Sequence, residues 1–422
     1  MQSALTFIGS NEANSNSTAR EESYRQQQQQ RPSTENTYAS QSISNTSTSP
    51  LSELHTETKD RNTFAACLLV MDDNAILPEF LAYHFLRLPL KRLIVAVDPR
   101  SETSPLEILN RYSSKNLMNI SIWNDEDFMP PNHEEIREEI DQRKREKGNP
   151  VKDPLVNLHR DRQNYFISQC FSTLQREGAQ WVIHIDTDEY ILPNYYAKPP
   201  YKLDMNPLPK NETDFPPTIY DMIQSVKHID EHLSSPCIAL PRVRIGTRES
   251  ACQKVELGMP PELKGSVNAT NLQTFRWRWR NQFNAGFKSN GQAKAMVDLS
   301  RLPQGSLTGN ISGHNPHRPV KKECLVRNMY LDARNSTFLV HHYASTWEQW
   351  SARKRDARQT TENNGRTREA WEKLRLLSVR QTDHIRPWLQ NFVNVYGAGL
   401  AAELLKGVGE LPFTVNSSSD VS

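Results

Sequence analysis

The stretch Trp181-Val182-Ile183-His184-Ile185-Asp186-Thr187-Asp188-Glu189-Tyr190-Ile191-Leu192 constrains this chain more than any other, because an apolar run leads straight into three carboxylates. Val182, Ile183 and Ile185 read as a short buried strand, and open α/β sheets bind ligands outside the carboxyl ends of such strands. Asp186 and Asp188 therefore fall at the mouth of the expected sheet. Carboxylates at i and i+2 just past a strand can share one hard divalent cation, whose other positions suit water and phosphate oxygens. The ligand this pattern implies is a metal-bound diphosphate.

In a chain with 49 acidic residues the D-x-D pattern also arises by chance, and Asp125-Glu126-Asp127 repeats it after another candidate strand, Met118 to Trp123. Context separates the two copies. The later one has the cleaner apolar run before it, Tyr190-Ile191-Leu192 after it, and an amphipathic helix from Arg162 to Gln175 leading in, so the site is expected there.

The 422 residues allow two or three domains, or one large α/β domain with additions. A net charge of +2 and a pI near 8.2 give no basic field that would call for nucleic acid. Cys67, Cys170, Cys237, Cys252 and Cys324 show no metal-type C-x-x-C spacing, and their odd number leaves at least one thiol unpaired within the chain, so the redox compartment stays open. Residues 1–62 are rich in Ser, Thr, Asn and Gln, include the run Gln26 to Gln30, and hold almost nothing apolar after Phe7-Ile8. Such a segment is expected to be a disordered tail, either a stem whose anchor is missing from this sequence or a plain extension. No apolar run reaches the roughly 18 residues of a membrane span, and Met1 to Ser10 lacks the features of a signal peptide. Eight N-x-S/T sequons, at Asn16, Asn45, Asn119, Asn211, Asn268, Asn310, Asn335 and Asn416, are compatible with the secretory pathway, though an Asn/Ser-rich chain makes several by chance.

Order is expected from Thr63. Phe64 to Met71 reads as a buried strand closed by Asp72-Asp73-Asn74. A helix follows through Ile76, Phe80, Tyr83, His84 and Leu88, and Leu93 to Val97 returns as a second strand ending at Asp98-Pro99. This βαβ unit predicts parallel pairing with right-handed crossovers. Leu106 to Tyr112 reads as the next helix, and the dense charge of Glu134 to Lys147 as a solvated surface helix.

Arg162 and Gln163 are expected in the first turn of the helix that precedes the central strand, where they either touch a ligand at the sheet edge or simply begin a capped helix. The prolines from Pro193 to Pro217 mark an irregular insertion. Cys237 to Leu240 and Arg242 to Gly246 read as one strand in alternation. Phe275-Arg276-Trp277-Arg278-Trp279-Arg280 reads as another, with aromatics on one face and Arg on the other, giving a sugar platform or half a core with a basic face. Finally Thr337 to Tyr343 is an apolar run into His341-His342-Tyr343, followed by Trp347-Glu348-Gln349-Trp350 and the basic run Arg353-Lys354-Arg355. Imidazole there is a candidate metal ligand, or a satisfied structural side chain. Alternation puts Val340 and His342 on one face and Leu339, His341 and Tyr343 on the other, so only one of the two histidines can reach a given ion.

Thr63 to Glu79, Arg162 to Leu192 and Leu339 to Trp350 together resemble a glycosyltransferase of the GT-A fold, similar to family 92 and family 2-like enzymes. The resemblance implies a Rossmann-like, mostly parallel sheet flanked by helices over residues 63–400, a helical C-terminal segment and a tail over 401–422. It implies a nucleotide-sugar donor, a UDP-sugar being favoured, a glycan acceptor, and Mn²⁺ or Mg²⁺ held by Asp186, Asp188 and the late His, here His342. Asp73, Asp98, Arg162, Gln163 and Asp186 are the candidate donor-binding residues. Asp72-Asp73-Asn74 departs from the family's usual pair at that position. Glu189 is the nearest candidate base, with Asp298 and Glu249 as distant ones. No nucleic-acid partner and no membrane span are expected. The secretory pathway, and within it the Golgi, is the expected compartment, with the cytoplasm still open. The rival readings are a haloacid-dehalogenase-type phosphatase with Asp186 as nucleophile, for which Tyr190 stands where Thr or Val is usual, and a silent glycan-binding protein on the same fold.

Overall fold

The computed structural model describes residues 63–410 apart from 152, 204–216, 227–234, 247–257, 283–289, 306, 308–315, 318, 321–331, 344–346, 348–366, 370 and 373–379. The tail over 1–62, Glu249, the segment Glu348 to Trp350 and the run Arg353 to Arg355 lie outside the described residues. The architecture is α/β with two mixed sheets.

The first half follows the expected alternation: β1 (Phe64–Val70), α1 (Leu77–Arg87), β2 (Leu90–Val97), α2 (Leu106–Ser113) and β3 (Asn119–Trp123). Strand β1 stops because Asp72 takes a positive φ of 56° and turns the chain, while its carboxylate accepts from the backbone of Glu102 and Thr103 and from their neighbouring hydroxyls. The charged segment forms α3 (His133–Glu146), in which Asp141 alone is buried. Helix α4 (Pro154–Arg176) is longer than the expected Arg162 to Gln175. Asp153 caps it through Leu155 N–H at 2.8 Å with Pro154 in the first turn, so Arg162 and Gln163 lie well inside the helix and not at its start.

Two sheets form. The larger runs β3-β2-β1-β4-β9-β6, with β4 at Trp181–His184, β6 at Cys237–Leu240 and β9 at Lys294–Asp298. Its β3-β2-β1-β4 portion is parallel, whereas β9 is antiparallel to both β4 and β6. The smaller runs β11-β8-β7-β10-β5, from Arg380–Gln381, Trp279–Arg280, Arg242–Gly246, Phe338–Tyr343 and Glu189–Pro193, and only its β7–β10 pairing is parallel. The segment read as one strand over 237–246 is thus two, and Pro241, which cannot donate to a ladder, is where the chain leaves one sheet for the other. Likewise β4 belongs to the first sheet and β5 to the second, so the chain also changes sheets between Ile185 and Asp188.

The alternating Phe275 to Arg280 is not one strand. After the short helix α5 (Ile219–Val226) its start is helical, as α6 (Gln273–Arg276), because the buried carboxylate of Glu79 on α1 accepts the N–H of Gln273 at 2.6 Å and both the N–H and the hydroxyl of Thr274. Those are the donors a helix start leaves unsatisfied. Only Trp279 and Arg280 remain in a ladder. At the other end α7 (Trp388–Tyr396) and α8 (Ala398–Leu404) pack near α1 and α2. Gly409 N–H donates to Ala75 and Asn271 to the Val408 carbonyl, so residues 401–410 belong to the packed unit rather than to a tail. Cys67 of β1 and Cys170 of α4 form a disulfide with Cα atoms 6.1 Å apart, beneath the sheet. No helix among the described residues is long and apolar enough to cross a membrane.

Helix α1 is buried on all sides. Tyr83 donates to the Ile191 carbonyl at 2.7 Å, and Tyr83 and His84 pack on Tyr190, which in turn meets Tyr343 edge-on. Burial pushes the Glu79 carboxyl up from 4.5 to about 7, against the pull of its bonds to Thr274 and Gln273. Folding then binds a proton between those values, so this group's contribution makes stability fall as pH rises from about 4.5 to 7. Buried His84 and His341, both pushed down to about 3, act the opposite way and destabilise as pH drops below about 6.5. The difference between wild type and Glu79→Gln isolates the carboxyl. We expect urea unfolding to show that difference changing by something on the order of 3 kcal/mol between pH 5 and 8. A pH-independent difference would refute it.

Candidate functional site

The turn Asp186-Thr187-Asp188-Glu189 is the link between the two sheets, and it closes on itself. Glu189 N–H donates to the Asp186 carbonyl and Asp186 N–H to Glu189 Oε2, both at 3.0 Å. His184 on the strand before it donates from Nδ1 to the Cys67 carbonyl at 3.0 Å, fixing its tautomer. Asp188 is tied to the far sheet, since its carbonyl accepts the Tyr343 N–H at 2.8 Å.

Under this turn lies a buried set of charges. Lys294 opens β9 and is fully enclosed, with Nζ 3.1 Å from both Asp186 Oδ2 and Glu189 Oε2. Arg242 of β7 reaches Glu189 Oε1 at 2.9 Å. Burial opposes the Lys294 charge, yet Asp186 and Glu189 outweigh it and lift its pKa above the ordinary lysine value. For Asp186 burial alone would raise the carboxyl, and Lys294, His184 and Arg242 instead bring it below the usual carboxylate range. Gly291, at φ +80°, lies flat against the Arg242 guanidinium, where a Cβ would collide with it.

The expected site residues divide into three groups. Asp188 and His342 come together, while Asp186, in the same turn and with a side chain 47% exposed, is paired with Lys294; His342 Nε2 lies 3.7 Å from Asp188 Oδ2. That separation is longer than a hydrogen bond and fits two ligands of one cation with bonds of about 2.0–2.2 Å. His341, by contrast, is fully buried on the opposite face beside Tyr343. Carboxylates suit Mn²⁺ or Mg²⁺ and an imidazole suits softer divalent ions, and no group of three or more ligating side chains is gathered about one point among the described residues. Glu189 is wholly buried, with its oxygens taken by Lys294, Arg242 and the Asp186 N–H, a placement that holds the turn and keeps it from any acceptor. Asp298 is buried as well and caps Ser300.

The third group lies along the same row of strand ends. Asp98, just after β2, pairs with Arg100 at 2.7 Å and Arg162 at 3.4 Å, and these cations hold its carboxyl below the usual range against burial. Arg162 also grips Asp125 with two nitrogens. Asp127 accepts the Asn124 N–H in a capping box. The earlier D-x-D is thereby committed to structure. Gln163 is half-buried next to Arg162, and Asp73 accepts the Met71 N–H at 3.3 Å while its carbonyl starts α1.

Lys294 and Arg242 escaped sequence reasoning. The alternation Arg242-Val243-Arg244-Ile245 did put both arginines on one face, which was the available signal for them. A single Lys heading Lys294-Ala295-Met296-Val297 carries none. No known protein family matches the chain, and no curated protein matches it.

If the charge set fastens the crossing, removing its central cation leaves the buried Glu189 with Arg242 alone and Asp186 without its ion pair. Lys294→Met should therefore cost on the order of 3–5 kcal/mol in urea unfolding. Gly291→Ala, which acts through Arg242, should destabilise in the same direction. Wild-type stability in Lys294→Met would show that the cluster does not hold the turn.

Proposed function

We propose that this protein is a metal-dependent glycosyltransferase, moving a sugar from a nucleotide-diphosphate donor, a UDP-sugar by preference, to a glycan hydroxyl. The observation that carries the reading is the Asp186–Asp188 turn at the carboxyl end of β4, beside β1 in the parallel run, with His342 set opposite Asp188. The order β3-β2-β1-β4 followed by antiparallel β9 and then β6 supports a GT-A-like Rossmann arrangement.

Asp188 and His342, with Asp186, would hold Mn²⁺ or Mg²⁺. Bound there, the ion supplies Lewis-acid neutralisation of the diphosphate leaving group. The chain's own residues do the rest. Lys294 and Glu189 fix the turn, so that the ligating carboxylates need little reorganisation. Asp73 and Asp98 close the neighbouring strands β1 and β2 toward the nucleoside side of the donor, Asp98 acting there through the Arg100 and Arg162 it holds. Glu189 does not fit the role of base. The buried Cys67–Cys170 disulfide supports an oxidising compartment, and so the secretory pathway and its Golgi.

A donor screen tests the reading. Purified protein with Mn²⁺ and each common nucleotide sugar should release free nucleoside diphosphate. Release of inorganic phosphate from a phosphomonoester instead would select the phosphatase reading.

Asp186→Asn and Asp188→Asn should each lower turnover roughly a thousandfold or more with the fold intact. His342→Ala should raise the Mn²⁺ concentration for half-maximal activity, while His341→Ala, in the core, should show itself in lost thermal stability. The reverse pattern in a paired Mn²⁺ titration and melting experiment would give His341 the ligand role.

A further inference from the structure

Across the smaller sheet Glu189 of β5, His342 of β10 and Arg244 of β7 stand in register as one cross-strand row on one face. The first two are accounted for: Glu189 by Lys294 and Arg242, His342 by Asp188. Arg244 is held by its backbone alone, its N–H donating to Asn290 Oδ1 at 3.1 Å and its carbonyl accepting from Asn281. Among the described residues its guanidinium has no hydrogen bond or ion pair, although the residue is half-buried.

This is a costly place for an unpaired cation. Burial and the like charge of Arg242 push the Arg244 pKa down to about 10, and Asp188 is the carboxylate that favours its charge. A planar fork of five donors, fixed on a strand and short of acceptors, matches the paired oxygens of a phosphate or a carboxylate. The neighbouring cations are already spent, Arg242 on Glu189 and Lys294 on Asp186 and Glu189. An anion arriving beside Asp188 and His342 therefore finds Arg244 as the available donor.

We propose that Arg244 binds the diphosphate of the donor, on the side of the D-x-D turn formed by His342. The inference rests on the glycosyltransferase reading and deepens it. In the transfer, the bond from the sugar C1 to the diphosphate oxygen breaks and C1 bonds to the acceptor oxygen. The electron pair of the broken bond stays on the diphosphate, and the acceptor's proton passes to a base or to solvent. Negative charge thus grows on the group that Arg244 touches, so the residue favours departure as well as binding.

The test is calorimetric titration with UDP, GDP and inorganic pyrophosphate in Mn²⁺, on wild type, Arg244→Met and Arg244→Lys. Met keeps the apolar stem, so a packing role survives that change, and urea unfolding checks that both variants are folded. Arg244→Met should weaken diphosphate binding about 10- to 100-fold, with Arg244→Lys intermediate. Uridine binding should be the same in all three proteins, and kcat should fall along with affinity. Wild type that binds the diphosphates no better than Arg244→Met overturns the role of Arg244 and leaves the glycosyltransferase reading standing. Wild type that binds no nucleoside diphosphate at all overturns both.

Discussion

A lysine ammonium enclosed by two carboxylates is the contact on which the arrangement of this protein depends. The two sheets are joined by the chain at a few crossings, and one of these carries Asp186, Asp188 and Glu189. An isolated carboxylate at a buried junction costs several kcal/mol. Lys294 on one sheet and Arg242 on the other meet the buried Glu189 from both sides, so the cost is offset only when the sheets are correctly apposed. Charge pairing here specifies geometry more than it adds stability, because an apolar set of the same volume would hold a junction at least as well. Such a set would leave no half-exposed Asp186 at the sheet mouth.

A second fastening acts from the apolar side. Tyr190, next to Glu189 in the chain, faces the opposite way and is packed by Tyr83, His84 and Tyr343. Helix α1 thus grips the strand that leaves the turn, and through Glu79 it also orders the start of α6. One helix reads as plain core by composition, yet it sets both the strand beyond the D-x-D and the course of the chain toward β8. The alternation over 275–280 lost to this contact. Period-two patterning is a weak force beside three hydrogen bonds to a buried carboxylate.

The sequence is legible where one of its longer apolar runs ends at polar residues, though not at the short run Ala295 to Val297 of β9. Strands β1, β2, β3, β4 and β10 lie close to the runs that mark them, and the separation of His341 from His342 follows from alternation alone. Sheet membership is not legible, because Pro241 and the Ile185–Asp188 link change sheets without breaking the apolar pattern on either side. The different side-chain partners of the two D-x-D copies are no more visible. They depend on Arg162 reaching Asp125 from 37 residues away, and on Lys294 reaching Asp186 across 108. A distant cation leaves no trace in local spacing. The start of α4 was the exception, since Asp153-Pro154 is a plain helix-start signal outside the window that hydrophobic periodicity picked out.

The balance of charge on the candidate site gives a last physical reason for its construction. Asp186, Asp188 and Glu189 are matched in number by Lys294, Arg242 and Arg244, so the face is near neutral as it folds. A cluster of acids alone would repel itself and would fold only with its cation already bound. Here the turn can form first. A divalent cation added to a neutral face leaves it positive, and an anionic diphosphate restores the balance. On the proposed function each ligand therefore raises the affinity for the other, as thermodynamic linkage requires of two opposite charges sharing one partly buried site. On that proposal the Arg244 guanidinium, which has no ion pair among the described residues and stands in register with His342, is the cation nearest the arriving diphosphate.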